Sequence, residues 1–346
     1  MQSAAEISAQ VFTARDAMLR DSLEDLRVAF LLFDSAIETL MVREIRHLSN
    51  YLLRAESPWR SNSDGRIPAD LNDPEQRGEV ETSSTGYVDW AFSKSQVRDI
   101  DRNFDDKLRF FAWHGDIPVE YVRIISRLHD YRNEMYHREE SRPEALRVVC
   151  HLYAFFVADF LDRLEPHGFS WPGDAGAMER LYARLGEPYL EEETRRVGLV
   201  SNLQRKMAAA LRRDLDLDDA PTLIAAYIAN RVDQAHDFLR YSGEVAVSVF
   251  GGRFTEMDTI RFAFQPIPNT KAEHAKLPTR ATLMRWDAWP EGTRQLSDPV
   301  EAFRSLAEFE AEFEEFEAIV LTLMTHAELE VDRQIDEEKE RRLYEE

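Results

Sequence analysis

Residues 119–140 read VEYVRIISRLHDYRNEMYHREE, and the spacing of their apolar side chains decides how the surrounding chain is read. Ile124, Leu128, Tyr131 and Met135 recur at intervals of four and three, the period of one helix face. Val119 to Tyr136 is therefore predicted to be a helix with one stripe turned to a core. Residues four apart differ by about 40° around a helix axis, which places Asn133 and His137 one turn apart on one side, with the long Arg132 side chain beside them. His137 falls roughly 200° from Met135 at about 100° per residue. The trio is expected to point away from the core.

The same spacing recurs on either side of this segment. Leu19, Leu23, Leu26, Phe30, Phe33, Ile37 and Leu40, extended by Leu48 and Leu52, predict one long amphipathic helix. A polar stretch from about Glu56 to Thr85 has no apolar period and reads as a long loop, either disordered or a functional flap. Val97, Ile100, Phe104, Leu108 and Phe111 predict a second helix ending at the turn His114-Gly115-Asp116. After the Val119 helix, Ser141 with Glu144 forms a capping-box pattern, and Pro143 suits a first turn. The helix so started has the stripe Leu146, Cys150, Tyr153, Val157, Phe160 and Leu164. Four such helices bury one another best as a bundle, so residues 1–165 are predicted to form one.

Pro166, Gly168, Pro172, Gly173 and Gly176 mark a linker over 166–177, leaving 178–346 as a second, mostly helical region. Within it Leu199 to Arg213 and Pro221 to Tyr241 read as helices. Val245, Val247 and Val249, then Ile260, Phe262 and Phe264, alternate as short strands do. From Leu306, the residues Phe309, Phe313, Phe316, Val320 and Leu323 predict a terminal helix, whose aromatic face should dock on the body or on a second subunit. No internal repeat is visible. The fold class expected is mainly α.

The formal net charge is −22, which argues against non-specific coating of nucleic acid, because that binding rests on Lys and Arg neutralising phosphates. Half of the charge sits at one end: Glu301 to Glu346 holds 16 acidic and 5 basic residues, a net of −11. No run approaches the ~18 apolar residues of a membrane span, and the first residues lack a basic start followed by an apolar stretch. A cytoplasmic protein is expected. Cys150 is the single cysteine, so no intramolecular disulfide and no cysteine-based zinc site is expected; its thiol is read as a core group.

Arg132, Asn133 and His137 suit phosphodiester cleavage without a metal or other cofactor. An imidazole near neutral pKa moves protons, a guanidinium holds phosphate and stabilises its developing charge, and an amide orients either partner. The ribose 2′-hydroxyl supplies the nucleophile. Arg, a polar residue, three others and His, after Leu128-His129-Asp130 and before one more apolar helix, resembles the signature of the HEPN superfamily over about residues 15–165. The resemblance implies a helical bundle that dimerises so that two motifs form one cleft. It further implies cleavage of RNA to a 2′,3′-cyclic phosphate end, in a toxin or an antiviral-defence effector with an antitoxin or defence-system protein as partner. One HEPN group carries a Tyr two residues after the motif His as a target of nucleotide addition; Glu139 stands there in this chain.

Several other features admit two readings. Arg123, Arg127, Arg138, Arg142 and Arg147 surround the motif, and Arg127 and Arg138, with His129, are the candidate RNA contacts. Interleaved Asp130, Glu134, Glu139 and Glu140 equally describe a solvated helix surface. His129 sits two turns before His137 and either flanks the cleft or hydrogen-bonds within the bundle; no third ligand at a fixed spacing supports a metal site. Gly251-Gly252 lacks the lysine of a phosphate loop and reads as a turn. Trp286 and Trp289 either stack a base or pack in a core. The competing reading of the whole chain is a non-catalytic HEPN-like interaction module or inhibitor that keeps the motif.

Overall fold

The computed structural model describes residues 4–48, 67–84, 90–138, 143–164, 175–189, 199–217, 219–253, 255–263, 278–320 and 333; at 134–138 and 143–145, among others, only the backbone is described. The fold is mainly α. In chain order the helices are α1 (Ala4–Arg20), α2 (Leu23–Leu48), α3 (Gln76–Ser83), α4 (Lys94–Arg102), α5 (Phe104–His114), α6 (Val119–Arg138) and α7 (Pro143–Arg163). They continue with α8 (Ala175–Leu185), α9 (Leu199–Leu215), α10 (Ala220–Phe250), α11 (Glu256–Ala263) and α12 (Arg280–Arg294), then α13 over 299–320. Among the described residues the one sheet is a parallel pair, β1 (Ile67–Pro68) with β2 (Trp90–Ala91). No helix among them is long and apolar enough to cross a membrane.

Two compact units divide the chain, Met1–Leu223 and Ile224–Glu346. The division falls just inside α10 rather than in the expected linker over 166–177, because α9 packs against α7 and α1, and α8 against α1. Arg15 of α1 also pairs with Asp214 of α9 at 2.9 Å. The helices that begin the expected second region thus complete the first unit.

Within the first unit, α2 packs against α1, α5, α6 and α7, and α7 against α2, α6 and α9. The stripe on α2 is as expected: Leu26, Phe30, Phe33, Ile37, Leu40 and Leu48 are buried. It is not one long helix from Leu19, however. The chain breaks at Asp21, whose φ is +61°, and Ser22 then caps α2, its hydroxyl accepting from the Asp25 amide at 3.1 Å. Leu19, at 59% exposure, ends α1 outside the stripe. A second break at Asn103 divides the expected Val97–Phe111 helix into α4 and α5. Gly115, with φ +89°, ends α5 in the left-handed conformation, as the turn predicts.

Part of the expected long loop is built rather than open. Gln76 Oε1 accepts from the Asp70 amide at 2.8 Å and from Trp113 Nε1 at 3.2 Å, while its Nε2 donates to the Pro68 carbonyl. These polar ties have no apolar period, which is why spacing did not reveal β1 and α3. Residues 56–66 of that stretch, like Ser141, Leu52, Phe264 and Leu323, lie outside the described residues.

The stripe expected on α7 is buried from Leu146 to Phe160, and Leu164 follows the helix end, also buried. The thiol of Cys150 is in this core and donates to the Leu26 carbonyl at 3.3 Å.

In the second unit the alternating valines prove to be helical. Val245 and Val247 are exposed turns of α10, while Gly243 and Ala246 between them face inward. A Cβ at Gly243 would stand 3.0 Å from Thr259 Oγ1, so the missing side chain lets α11 approach closely. Ile260 lies buried on α11, whose start is fixed by Thr255 and Asp258 exchanging hydrogen bonds. Among the described residues neither expected strand forms, and Gly251-Gly252, both at positive φ, lie between α10 and α11. The aromatic face of α13 is covered by α12: Trp286 meets Phe313 and Phe316 at 5.0 and 5.3 Å, and Trp289 meets Phe309 at 5.7 Å. Both tryptophans are packing groups.

Arg231 of α10 is 2% exposed. Its Nε and Nη2 donate to the two oxygens of Glu317 at 2.9 and 2.6 Å, and its Nη1 to Glu310, both glutamates being on α13. The rings of Tyr227, Phe309 and Phe313 surround its guanidinium. Removing the guanidinium leaves two carboxylates buried with no cation between them. Arg231→Ala is therefore expected to destabilise the protein by about 3–5 kcal/mol, read as a lower urea midpoint by circular dichroism.

Candidate functional site

α6 starts after the Gly115 turn and Pro118 and buries Tyr121, Ile124, Ile125 and Leu128. The buried face is thus centred one flank over from the expected Ile124–Leu128–Tyr131–Met135 stripe; Tyr131 is only half-buried and the Met135 side chain is not described. At about 100° per residue, Arg132 lies about 30° from the centre of the true face and His137 about 170° from it. This corrects the expectation that the whole trio points away from the core. Arg132 points toward the bundle.

What Arg132 meets there is Asp34 of α2, which follows Phe33 on the apolar stripe and is 1% exposed. Arg132 Nε is 3.5 Å from Asp34 Oδ2, and the Arg132 side chain stays 36% exposed. Nη1 of Arg132 donates to the Asn133 amide oxygen at 2.9 Å. The same carboxylate accepts, on Oδ1, from His129 Nδ1 at 2.8 Å and from the Tyr153 hydroxyl of α7. A carboxylate only accepts, which assigns the Nδ1 proton to His129. The face of the imidazole stacks on Phe104 of α5, with centroids 3.9 Å apart and planes 8° from parallel.

Three helices therefore meet at one buried oxygen pair, and α5 joins them through the Phe104 ring on His129. Burial disfavours the imidazolium of His129, but its hydrogen bond to Asp34 and that carboxylate's charge outweigh burial and raise its pKa above the ordinary 6.5; Arg132 opposes the rise and Glu38 adds to it. Tyr153, wholly enclosed, is pushed well above the ordinary 10 by burial and then by Asp34. It remains a donor at any working pH.

Of the other expected contacts, Arg127 lies over the Tyr131 ring at 4.6 Å, Arg147 pairs with Asp21, and the side chains of His137 and Arg138 lie outside the described residues. His129 takes the bundle-internal reading. Among the described residues no group of three or more His, Cys, Asp or Glu is placed to hold a metal ion. Asp34, Phe104 and Tyr153 were missed as site residues. The available signal was Asp34 itself, a carboxylate four residues after Phe30 and three before Ile37 on an otherwise apolar stripe.

The raised His129 value fixes a sign. Its folded-state pKa exceeds the unfolded one, so the stabilisation is full below the unfolded value, about 6.5, and is lost as pH rises through the folded value. The melting temperature of the wild type minus that of His129→Gln should be largest on the acid side of about pH 6.5 and shrink above it. A difference that grows with pH would contradict this geometry. No family model, curated protein or solved structure matches the chain.

Proposed function

We propose that the chain is a metal-independent endoribonuclease of HEPN type, acting as a toxin or antiviral-defence effector. The observation that carries the reading is the state of Arg132: its guanidinium is oriented from two sides, by Asp34 and by Asn133, yet 36% of the side chain as a whole remains open to solvent. An oriented, accessible guanidinium one to two turns from an imidazole is what a scissile phosphate requires.

In this reading the 2′-hydroxyl attacks phosphorus as a base takes its proton, and the 5′-oxygen leaves as an acid returns one. The products are a 2′,3′-cyclic phosphate and a 5′-hydroxyl. His137 supplies the proton transfers, Arg132 grips phosphate and Asn133 positions Arg132. Arg132 and His137 lie about 140° apart on the helix, and one motif offers one imidazole. A homodimer with two motifs facing one cleft supplies both an acid and a base. Arg127 and Arg138 flank the cleft as RNA contacts.

A second reading, a non-catalytic HEPN-like interaction module or inhibitor, is favoured by one observation. Arg132 is tied to a buried carboxylate, as a purely structural arginine would be, in a chain of net charge −22.

Purified protein incubated with total cellular RNA separates the two. Cleavage should persist with chelator and leave cyclic phosphate ends. His137→Ala and Arg132→Ala should each lower the rate by at least ~10²-fold, with the dimer retained in sedimentation. Undiminished cleavage by His137→Ala, or wild-type rates from a strict monomer, would sink the enzymatic proposal.

A further inference from the structure

We infer that Asp34 is a positioning carboxylate that couples two side chains of the site: one of its oxygens holds the His129 imidazole and the other orients the Arg132 guanidinium, so that protonating His129 loosens the seat of Arg132. The coupling itself rests on geometry; its consequence for RNA rests on the endoribonuclease reading.

The charged groups that face His129 among the described residues are few. α2 presents Asp34 and Glu38, and α6 itself presents Arg132. α5 contributes the uncharged Phe104 ring, and α7 the Tyr153 hydroxyl that shares Asp34 Oδ1. With a neutral imidazole, the carboxylate's charge faces Arg132 at 3.5 Å as the principal cation. Protonation adds a second cation 2.8 Å from the same group. The imidazolium takes a share of the carboxylate's field and repels the guanidinium, while Phe104 and the buried oxygen hold the ring where it is. Arg132 is the partner with an open side, so it yields toward solvent and the Asn133 amide. A coupling of this kind is reciprocal: whatever His129 does to Arg132, removing Arg132 must do in reverse to the titration of His129.

The test is a ¹³C/¹⁵N-histidine NMR titration of the full chain, with His129 assigned by its loss in His129→Gln. The wild-type midpoint should lie above 6.5. Arg132→Ala should raise it further, because a competing cation has gone. Asp34→Asn should bring it below 6.5, leaving burial and Arg132 unopposed by the carboxylate. If Asp34→Asn does not fold, Arg132→Ala decides alone, and a His129 midpoint unmoved by that change overturns the inference. In a second arm, the wild-type KM for RNA should fall as pH rises across the His129 midpoint, because deprotonation restores the seat of Arg132, with kcat far less affected. The KM of His129→Gln should lack that step, and Asp34→Asn should raise KM by about fivefold, the scale of one partly exposed ion pair. A wild type that cleaves no RNA removes the enzymatic reading and leaves the titration to judge the coupling.

Discussion

A carboxylate enclosed to 1% exposure surrenders its hydration, and a lone charge in that position would cost several kcal/mol. Asp34 is tolerated because partners arrive from two other helices: His129 of α6 and Tyr153 of α7 donate hydrogen bonds to it, and Arg132 of α6 forms an ion pair with it. That requirement fixes where α6 and α7 sit along α2. Sliding α6 by one turn, about 5.4 Å, would carry His129 off both Asp34 and Phe104 and leave the carboxylate facing an apolar stretch. The orientation of Arg132, and through it the position of the Arg132-Asn133 pair on the bundle surface, follows from this one buried charge.

The second unit meets the same constraint with the sign reversed. There the buried group is the cation, Arg231, held by the two carboxylates of Glu310 and Glu317 and by three aromatic faces. Glu310 and Glu317 are two turns apart on one side of α13, so a single guanidinium fixes both the rotation and the height of that helix against α10. Each unit thus carries a buried charge that spans elements which apolar packing alone would leave free to slide.

Much of this was legible in the residues. The 4–3 spacing located α2, α5, α6 and α7, and the buried faces of α2 and α7 follow it closely because burial itself produces the period. Breaks were less legible: the capped turn at Asn103 keeps α4 and α5 aligned on one stripe, whereas the break at Asp21 drops Leu19 out of the stripe that α2 continues. The valines at 245 and 247 misled for the opposite reason. Their alternation is an exposed surface on α10, whereas the inward positions belong to Gly243 and Ala246, residues too small to register as a pattern. The direction of Arg132 was misread because Tyr131 and Met135 were weighted equally with Ile124 and Leu128, shifting the inferred core by one flank. Asp34 was in plain view as the one acidic residue on its stripe between Phe30 and Leu40, but a stripe is defined by its apolar members.

The pairing of Arg15 with Asp214 joins residues 199 positions apart, and Asp34 waits 119 residues for Tyr153. Although built of helices, the first unit closes through contacts distant in sequence, the property that slows folding. At about 5–20 residues per second of synthesis, the apolar faces of α1 and α2 spend roughly 10–40 s on a nascent chain before α9 exists to cover its share of them. Over that interval the growing chain exposes the surface that aggregation recognises, so the yield of folded protein is sensitive to elongation rate and to chaperones that shield helical hairpins during synthesis.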